Sequence, residues 1–355
     1  MTGPAIRAVT VRPLHLPLRQ PFITSRGQKT VSRNLLVTVT FADGTVGLGE
    51  ASESLAWPED SPQAMQRCLT QIIPRLIGQS PAGAWRRLRQ AWTSAGASPA
   101  ALSAAECAMA SAEAASQGVP LWRWCAQRLG TRPRRPRTIA TSLTISAWPP
   151  AAAGRTARWA AAHGFRQLKV KVTGRDPDQD LMRLVAVHRA APRATLLVDA
   201  NQGFAVRHAI AFSRAFRQFR LPVVAFEQPV PYDDLEGMAQ LTRDAGVPIV
   251  ADETVRTLAD ARRLAARRSA HVINVKLAKS GLIGALDIIR LATTHRLGLM
   301  IGCMAESAVG LAPSVHLACG TGAFRYVDLD SHLLVKNPAG RPAFTTRGPR
   351  LSVVG

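Results

Sequence analysis

Residues 167–172 read QLKVKV, and its two lysines decide how the rest of the chain is read. Of 45 basic side chains only six are lysine: Lys29, Lys169, Lys171, Lys276, Lys279 and Lys336. The other 39 are arginine, so wherever charge alone is needed this chain uses arginine. Two of the scarce lysines nevertheless stand one residue apart on a segment that alternates like a strand. On a strand, residues i and i+2 share a side, so Lys169 and Lys171 point the same way. Two neighbouring ammonium groups repel, which predicts a lowered pKa for at least one of them. Bringing a lysine from about 10.4 to the ~7–8 useful to a general base costs roughly 4 kcal/mol. Arginine cannot be tuned in this way because it does not deprotonate in proteins.

The same texture continues downstream. TIATSLTIS, RQLKVKV, TLLVDAN, VVAFEQP, PIVADE, HVINVKL, GLMIGCM and FRYVDLD read as strands, separated by amphipathic stretches such as DPDQDLMRLVAVHRAA. Eight strands with helices between them over roughly 200 residues fit a (β/α)8 barrel better than an open sheet. The steps from Lys169 to Asp199, Glu227, Asp252 and Lys276 are 30, 28, 25 and 24 residues, each about one βα unit. Consecutive strands therefore deliver one charged side chain each to the same rim. Three carboxylates on adjacent strands, flanked by lysines, offer the oxygen donors that a hard divalent cation such as Mg²⁺ prefers. With only 23 acidic residues in the chain, their phasing with the strand repeat argues against incidental ion pairs.

Ahead of the barrel, residues 5–18, 33–42 and 45–50 read as strands, with ADG (42–44) as a turn. Helical stretches follow at about 61–78, 81–92, 100–117 and 120–129. The Pro-broken TRPRRPR marks a boundary near residue 135. The expected organisation is α/β: an N-terminal α+β capping domain over 1–134, a modified TIM barrel over 135–331, and a C-terminal segment, 332–355, packing back on the capping domain. Hydrophobic content of 47% describes a globular chain with a sizeable core. No run approaches the ~20 apolar residues of a membrane helix, and the N-terminus lacks the apolar region of a signal peptide. A cytoplasmic location with no membrane partner is expected. The five scattered cysteines fit reduced thiols, not a disulfide frame or zinc site. The net charge of +22 invites a polyanion-binding reading. The arginines are spread along the whole chain without a nucleic-acid-binding signature, so no nucleic-acid partner is expected. Self-association stays open.

LKVKV, VDANQG, EQPV, ADE and INVKLAKSG, in that order, with PF (21–22) and DGTVGLGEA nearer the N-terminus, resemble the enolase superfamily and specifically its muconate-lactonizing-enzyme-like branch. The resemblance covers most of the chain. It implies that Asp199, Glu227 and Asp252 hold one Mg²⁺ per active site. It also implies that Lys169 and Lys171 are the KxK pair of the second barrel strand, and Lys276 the opposing lysine of the sixth. The shared chemistry removes a proton α to a carboxylate and stabilises the enediolate on the metal. Lys171 would be the base on one side and Lys276 the acid or base on the other. Lys169 would tune its neighbour and add positive charge near the oxyanion. The branch resembling mandelate racemase wants a histidine after the seventh strand, and GLMIGCMAES has none.

RYVDLDSHL (325–333) separates this chain from others of the branch. Asp328 and Asp330 read as an unpaired acidic pair on one side of the last strand, suited to a cationic ligand group. The pattern resembles that of dipeptide epimerases, where it holds the substrate's α-ammonium, and Thr144 matches a substrate-side position there. The resemblance thus implies an isomerase acting on dipeptides, of L-Ala-D/L-Glu type, with 1,1-proton transfer at the second residue's α-carbon. The alternatives are an N-acylamino-acid racemase, an o-succinylbenzoate synthase or a cycloisomerase. Arg26 and Met304 complete the expected substrate contacts. Side-chain specificity is left open, because Gly27 falls where the Ala-Glu enzymes place a capping-loop arginine. Glu53 and Glu59 would favour a cationic side chain, and KSGL (279–282) replaces the usual KSGG. Cys303 reads as pocket lining and Glu253 as an ion-pairing neighbour of the metal ligands. Glu50 and Glu106 have no motif context.

Overall fold

In the computed structural model, which describes residues 3–132, 135–336 and 343–353, the first strand runs through the prolines that break its pattern. β1 spans Ile6–Thr24 and β2 Gly27–Phe41, both longer than their hydrophobic alternation predicts. Pro13, Pro17 and Pro21 are tolerated because β1 is an edge strand, bonded only to β2 in the order β1-β2-β3. The register slips between Pro17 and Phe22, and the hairpin turns at Ser25 and Arg26. β3 (Val46–Ala51) completes the sheet, and α1 (Pro62–Leu76), α2 (Pro81–Ala91), α3 (Pro99–Ser116) and α4 (Leu121–Leu129) follow it. The alanine-rich α3 lies directly on β3. A Cβ at Gly47 or Gly49 would fall 2.0 Å from the carbonyl oxygens of Ala108 or Ala104, so only glycine permits this approach.

After the short β4 (Ile139–Ala140), strand and helix alternate eight times. The strands are β5 (Leu143–Ile145), β6 (Gln167–Lys171), β7 (Thr195–Asp199), β8 (Val223–Glu227), β9 (Ile249–Ala251), β10 (Val272–Val275), β11 (Gly298–Gly302) and β12 (Tyr326–Asp328). The helices that follow them are α5 (Pro150–Ala162), α6 (Pro177–Ala190), α7 (Val206–Gln218), α8 (Leu235–Asp244), α9 (Leu258–Arg267), α10 (Leu277–His295), α11 (Ala308–Thr321) and α12 (Ser331–Leu334). Local chemistry starts several of them. Asp176 and Asp234 cap α6 and α8, and Thr257 with Asp260 forms a reciprocal capping box on α9. All eight strands are parallel and run in sequence order. Ser142 N–H, donating to Val327 O at 2.8 Å, joins the last strand to the first.

The inside of the barrel is layered. Leu197, Ala225, Val250, Val272, Met300 and Tyr326, one from each of β7 to β12, form a buried apolar floor. Two residues further along the same strands come Asp199, Glu227, Asp252, Asn274, Gly302 and Asp328. Period-two alternation puts this second set on the same inner side, directly above the floor.

The C-terminal segment is divided. Val335 bridges to Leu18 and Lys336 N–H donates to Pro17 O, so its first residues rest on β1. The hairpin of β13 (Phe344–Arg347) and β14 (Arg350–Val353) lies elsewhere: it pairs with β4 and packs against α11. The free edge of β4 supplies the backbone partners that draw it there. The boundary expected after Arg134 lies outside the described residues. Among the described residues no helix is long and apolar enough to cross a membrane.

His316 on α11 ties α4 to this C-terminal region. Its Nδ1 accepts Trp122 N–H at 3.1 Å, which leaves Nε2 to donate to Ala343 O at 2.9 Å. Burial pushes its pKa down to about 4, so the folded form holds a neutral ring. A histidine with a depressed pKa contributes stability above its unfolded value of about 6.5, and that stability is lost as pH falls toward about 4. Urea unfolding should show this acid loss in the native protein. His316→Ala should cost about 1–3 kcal/mol at neutral pH and make the slope shallower between those pH values.

Candidate active site

A cavity of about 130 Å³ lies over the C-terminal ends of the barrel strands, beneath the β1–β2 hairpin and the segment 52–60. Thr144, Lys169, Lys171, Asp252, Lys276, Met304, Asp328, Asp330 and Arg26 all line it. Asp199 and Glu227 do not; they lie beneath, fully buried, in contact with Lys169. β6 and β10 are four strands apart in an eight-stranded ring, so Lys171 and Lys276 stand on opposite sides of the cavity. The site therefore has a charged floor and two facing amines.

The charges are closely paired. Lys169 Nζ lies 3.0 Å from Asp199 Oδ2, 2.9 Å from Glu227 Oε2 and 2.8 Å from Asp328 Oδ2. Lys171 Nζ donates to Asp199 Oδ2 at 2.6 Å and Asn201 Oδ1 at 3.0 Å. Lys276 Nζ donates to Asp252 Oδ2 at 2.6 Å, and Lys279 Nζ to Asp252 Oδ1 at 2.7 Å. The repulsion expected to lower the pKa of at least one lysine of the pair does not prevail at Lys169. Burial does favour its neutral form, but Asp199, Asp328 and Glu227 outweigh it and hold its pKa well above the ordinary value. Lys276 is likewise raised, because Asp252 prevails over burial. The adjacent lysines are dominated by the carboxylates between them, which sequence spacing alone did not place within contact.

The two aspartates of the last strand are not equivalent. Asp328 ends β12 and is not unpaired as expected: besides Lys169, it accepts Ser142 Oγ–H at 2.9 Å and Thr144 Oγ1–H at 3.1 Å. Asp330 lies past the strand end, and its Oδ2 accepts Thr144 N–H at 2.6 Å. Burial and the neighbouring Asp328 push Asp330 up to about 7. Glu53 and Glu59 turn to other partners, Arg33 at 3.5 Å and Arg256 at 2.7 Å. Arg26, exposed at the hairpin tip, stands at the cavity mouth.

Three residues escaped the sequence reading. Asn274 Nδ2 donates to Glu227 Oε1 at 2.8 Å, and its position two residues before Lys276 was the available signal. Lys279 is one helical turn past Lys276. Asn201 follows Asp199 by two and bridges Lys171 to Glu253. Gly302 fills the same layer with nothing, since a Cβ there would fall 2.8 Å from Asn274 Oδ1 and 2.9 Å from Lys276 Cε.

Asp199, Glu227 and Asp252 suit a hard divalent cation by donor type. Glu227 Oε2 is buried without a hydrogen bond, though the Lys169 ammonium stands beside it. Burial and the Asp199 carboxylate push Glu227 up to about 8, the condition of an acid crowded by like charge. Among the described residues no three carboxylate, imidazole or thiol groups stand together as a formed ligand set, because four lysines divide the carboxylates among them. The fit is one of donor chemistry and burial.

Two family models match the chain: the mandelate racemase / muconate lactonizing enzyme N-terminal domain over residues 6–124, and the enolase C-terminal domain-like model over 151–352. The chain is 37% identical to an aromatic dipeptide epimerase of Herpetosiphon aurantiacus over 331 residues, 93% of this chain and 91% of that protein. It is 31% identical to the L-Ala-D/L-Glu epimerase of Thermotoga maritima over 94% of each. A dipeptide epimerase of Methylococcus capsulatus, solved with Mg and the dipeptide L-Arg-D-Lys, matches with a TM-score of 0.89 at 32% identity, covering 99% of this chain and 97% of that one.

The crowding at Glu227 has a measurable sign. A carboxyl raised to about 8 on folding contributes stability at low pH that is lost as pH rises toward that value. Thermal melts in chelator should therefore fall between pH of about 6.5 and 8, above the range in which His316 titrates. Mg²⁺ should restore stability most at the alkaline end. Glu227→Gln should flatten the dependence, and Asn274→Ala should weaken Mg²⁺ binding by about 10–100-fold in calorimetry.

Proposed function

The chain belongs to the enolase superfamily, and on that premise we propose that it is a Mg²⁺-dependent dipeptide epimerase. The observation that carries this reading is the pair of amines on opposite sides of one cavity, Lys171 and Lys276, above three buried carboxylates. Epimerisation by two groups needs a proton acceptor on one side of a carbon and a donor on the other. The cavity provides that arrangement along one axis. The acidic pair Asp328 and Asp330 then marks where a cationic end of the substrate binds. An ammonium beside Asp330 relieves the repulsion from Asp328 that keeps its carboxyl near neutral pH. Substrates of the other reactions in the branch lack that ammonium, which disfavours the alternatives.

With the ammonium at Asp330, the substrate's carboxylate faces the floor and the second residue's α-carbon lies between the lysines. A divalent cation held by Asp199, Glu227 and Asp252 would neutralise the substrate carboxylate and the charge that gathers on it as the α-proton leaves. Lys171 in its neutral form removes the proton from one side and Lys276, protonated, returns one from the other. The reverse epimerisation exchanges these roles. Lys169 stays charged and adds a positive field beneath the oxyanion. The hairpin and the segment 52–60 exclude water above. They line the cavity with the apolar Phe22, Leu55 and Trp57 and with the charged Arg26, Lys29 and Asp60, so the side-chain preference at the second residue stays open. The same reading places the enzyme in the cytoplasm, acting on free dipeptides, without a nucleic-acid or membrane partner.

Lys171→Ala and Lys276→Ala should each reduce epimerisation by about 10²–10⁴-fold. Each variant should retain α-proton exchange for one diastereomer only, opposite between the two. Mass spectrometry of L,L and L,D dipeptide libraries incubated in D₂O with Mg²⁺ measures both. If acylated or succinylated amino acids exchange while dipeptides do not, the epimerase reading is wrong.

A further inference from the structure

A second cavity, of about 410 Å³, adjoins the first at the seam between the β1–β2 hairpin and α5. The two share Phe22, Thr144 and Leu334, so the second opens at the end of the site where Thr144 N–H meets Asp330. Its walls are formed by Trp148 ahead of α5, by Arg155 and Trp159 on α5, and by Arg19 of the hairpin. The register slip between Pro17 and Phe22 releases Arg19 from the β ladder.

These walls are held in place without a ligand. Trp148 Nε1 donates to Pro21 O at 2.9 Å, and Ala147 N–H to Ile23 O at 3.1 Å. Trp159 stacks on His163 with ring centroids 4.1 Å apart, yet remains 47% exposed. Charge divides the two cavities. The catalytic one sets five acidic side chains, Asp60, Asp252, Glu253, Asp328 and Asp330, among six basic ones. The second has two arginines and no acid.

We propose that this second cavity receives the side chain of the dipeptide's first residue and selects a large aromatic one. The proposal rests on the epimerase reading, because the ammonium beside Asp330 and the side chain in question share one α-carbon. From that carbon the adjoining cavity is the neighbouring space on the Thr144 side. Two indole rings offer stacking surfaces to an aromatic side chain. The two guanidinium groups favour an aromatic face by cation–π attraction and oppose a lysine or arginine side chain.

The test varies the first residue while the second is held as L-Leu, with kcat/KM measured for Ala-Leu, Phe-Leu, Tyr-Leu and Lys-Leu. Phe-Leu and Tyr-Leu should exceed Ala-Leu by about tenfold or more, with Lys-Leu lowest. Trp159→Ala should lower kcat/KM for Phe-Leu at least about fivefold more than for Ala-Leu, and Trp159→Phe should recover most of the difference. Arg155→Glu should raise Lys-Leu relative to Phe-Leu, a readout that does not depend on Trp159 and its packing. Equal rates for Ala-Leu and Phe-Leu, or equal losses in Trp159→Ala, would overturn the proposal while leaving the epimerase reading intact. No turnover of any dipeptide would overturn both.

Discussion

A charge removed from water persists only opposite another charge or a set of hydrogen bonds. At the mouth of this barrel Lys169, Lys171, Lys276 and Lys279 are all at least 91% buried, among carboxylates that are buried as well. Much of the surrounding structure serves that requirement. The apolar floor two residues below fixes the height of each acid. Asn274 holds the Glu227 oxygen that Lys169 shares, and Gly302 leaves the space in which Asn274 and Lys276 stand. The lysines hold the carboxylates together, and the carboxylates keep Lys169 and Lys276 charged. A divalent cation competes for the same oxygens, so its arrival and the release of a lysine proton are linked by charge balance.

The cap is fastened to the barrel by buried acids as well. Glu50 of β3 accepts Ser307 N–H at 3.0 Å, at the start of α11, and Asn34 Nδ2–H at 2.7 Å. Glu106 of α3 accepts Trp92 Nε1–H at 2.7 Å and Ile283 N–H at 3.0 Å. It meets α10 where Gly281 turns to a positive φ of 67°, and a Cβ there would fall 2.5 Å from Glu106 Oε2. Helix N-termini favour carboxylates electrostatically, which suits Glu50 at the start of α11 and Glu106 where α10 restarts after its non-helical break at Gly281. On the rim, Arg256 pairs with Glu59 and lies over the Trp57 ring at 3.9 Å, holding the segment 52–60 above the cavity. The hairpin and this segment are therefore anchored to the barrel that performs the chemistry.

The barrel was legible because its signal is periodic: one charged side chain per βα unit, always at the polar end of an apolar strand. The facing of Lys171 and Lys276 was implied by the family resemblance, and the strand order accounts for it. The pairing inside the site was less legible, because contacts such as Lys169 with Asp328 join residues 159 apart and depend on barrel closure. Repulsion within the lysine pair does not set the pKa of Lys169 for that reason. Spacing revealed its like-charged neighbour and hid the carboxylates across the ring. Glu50 and Glu106 had no pattern to announce them, since each joins one distant polar side chain, Asn34 or Trp92, to a backbone N–H of the barrel. β1 was cut short by reading its prolines as strand ends, when its place at the sheet edge lets them remain.

The central claim is that two lysines act on one carbon from opposite sides. The direct measurement is the fate of the α-hydrogen during early turnover of an L,L-dipeptide by the native enzyme in D₂O with Mg²⁺, followed by NMR. The account predicts deuterium at the second residue's α-carbon in the epimerised product, while recovered substrate remains protiated there. Equal labelling of substrate and product from the first time point, or retention of the original hydrogen in the product, would contradict it.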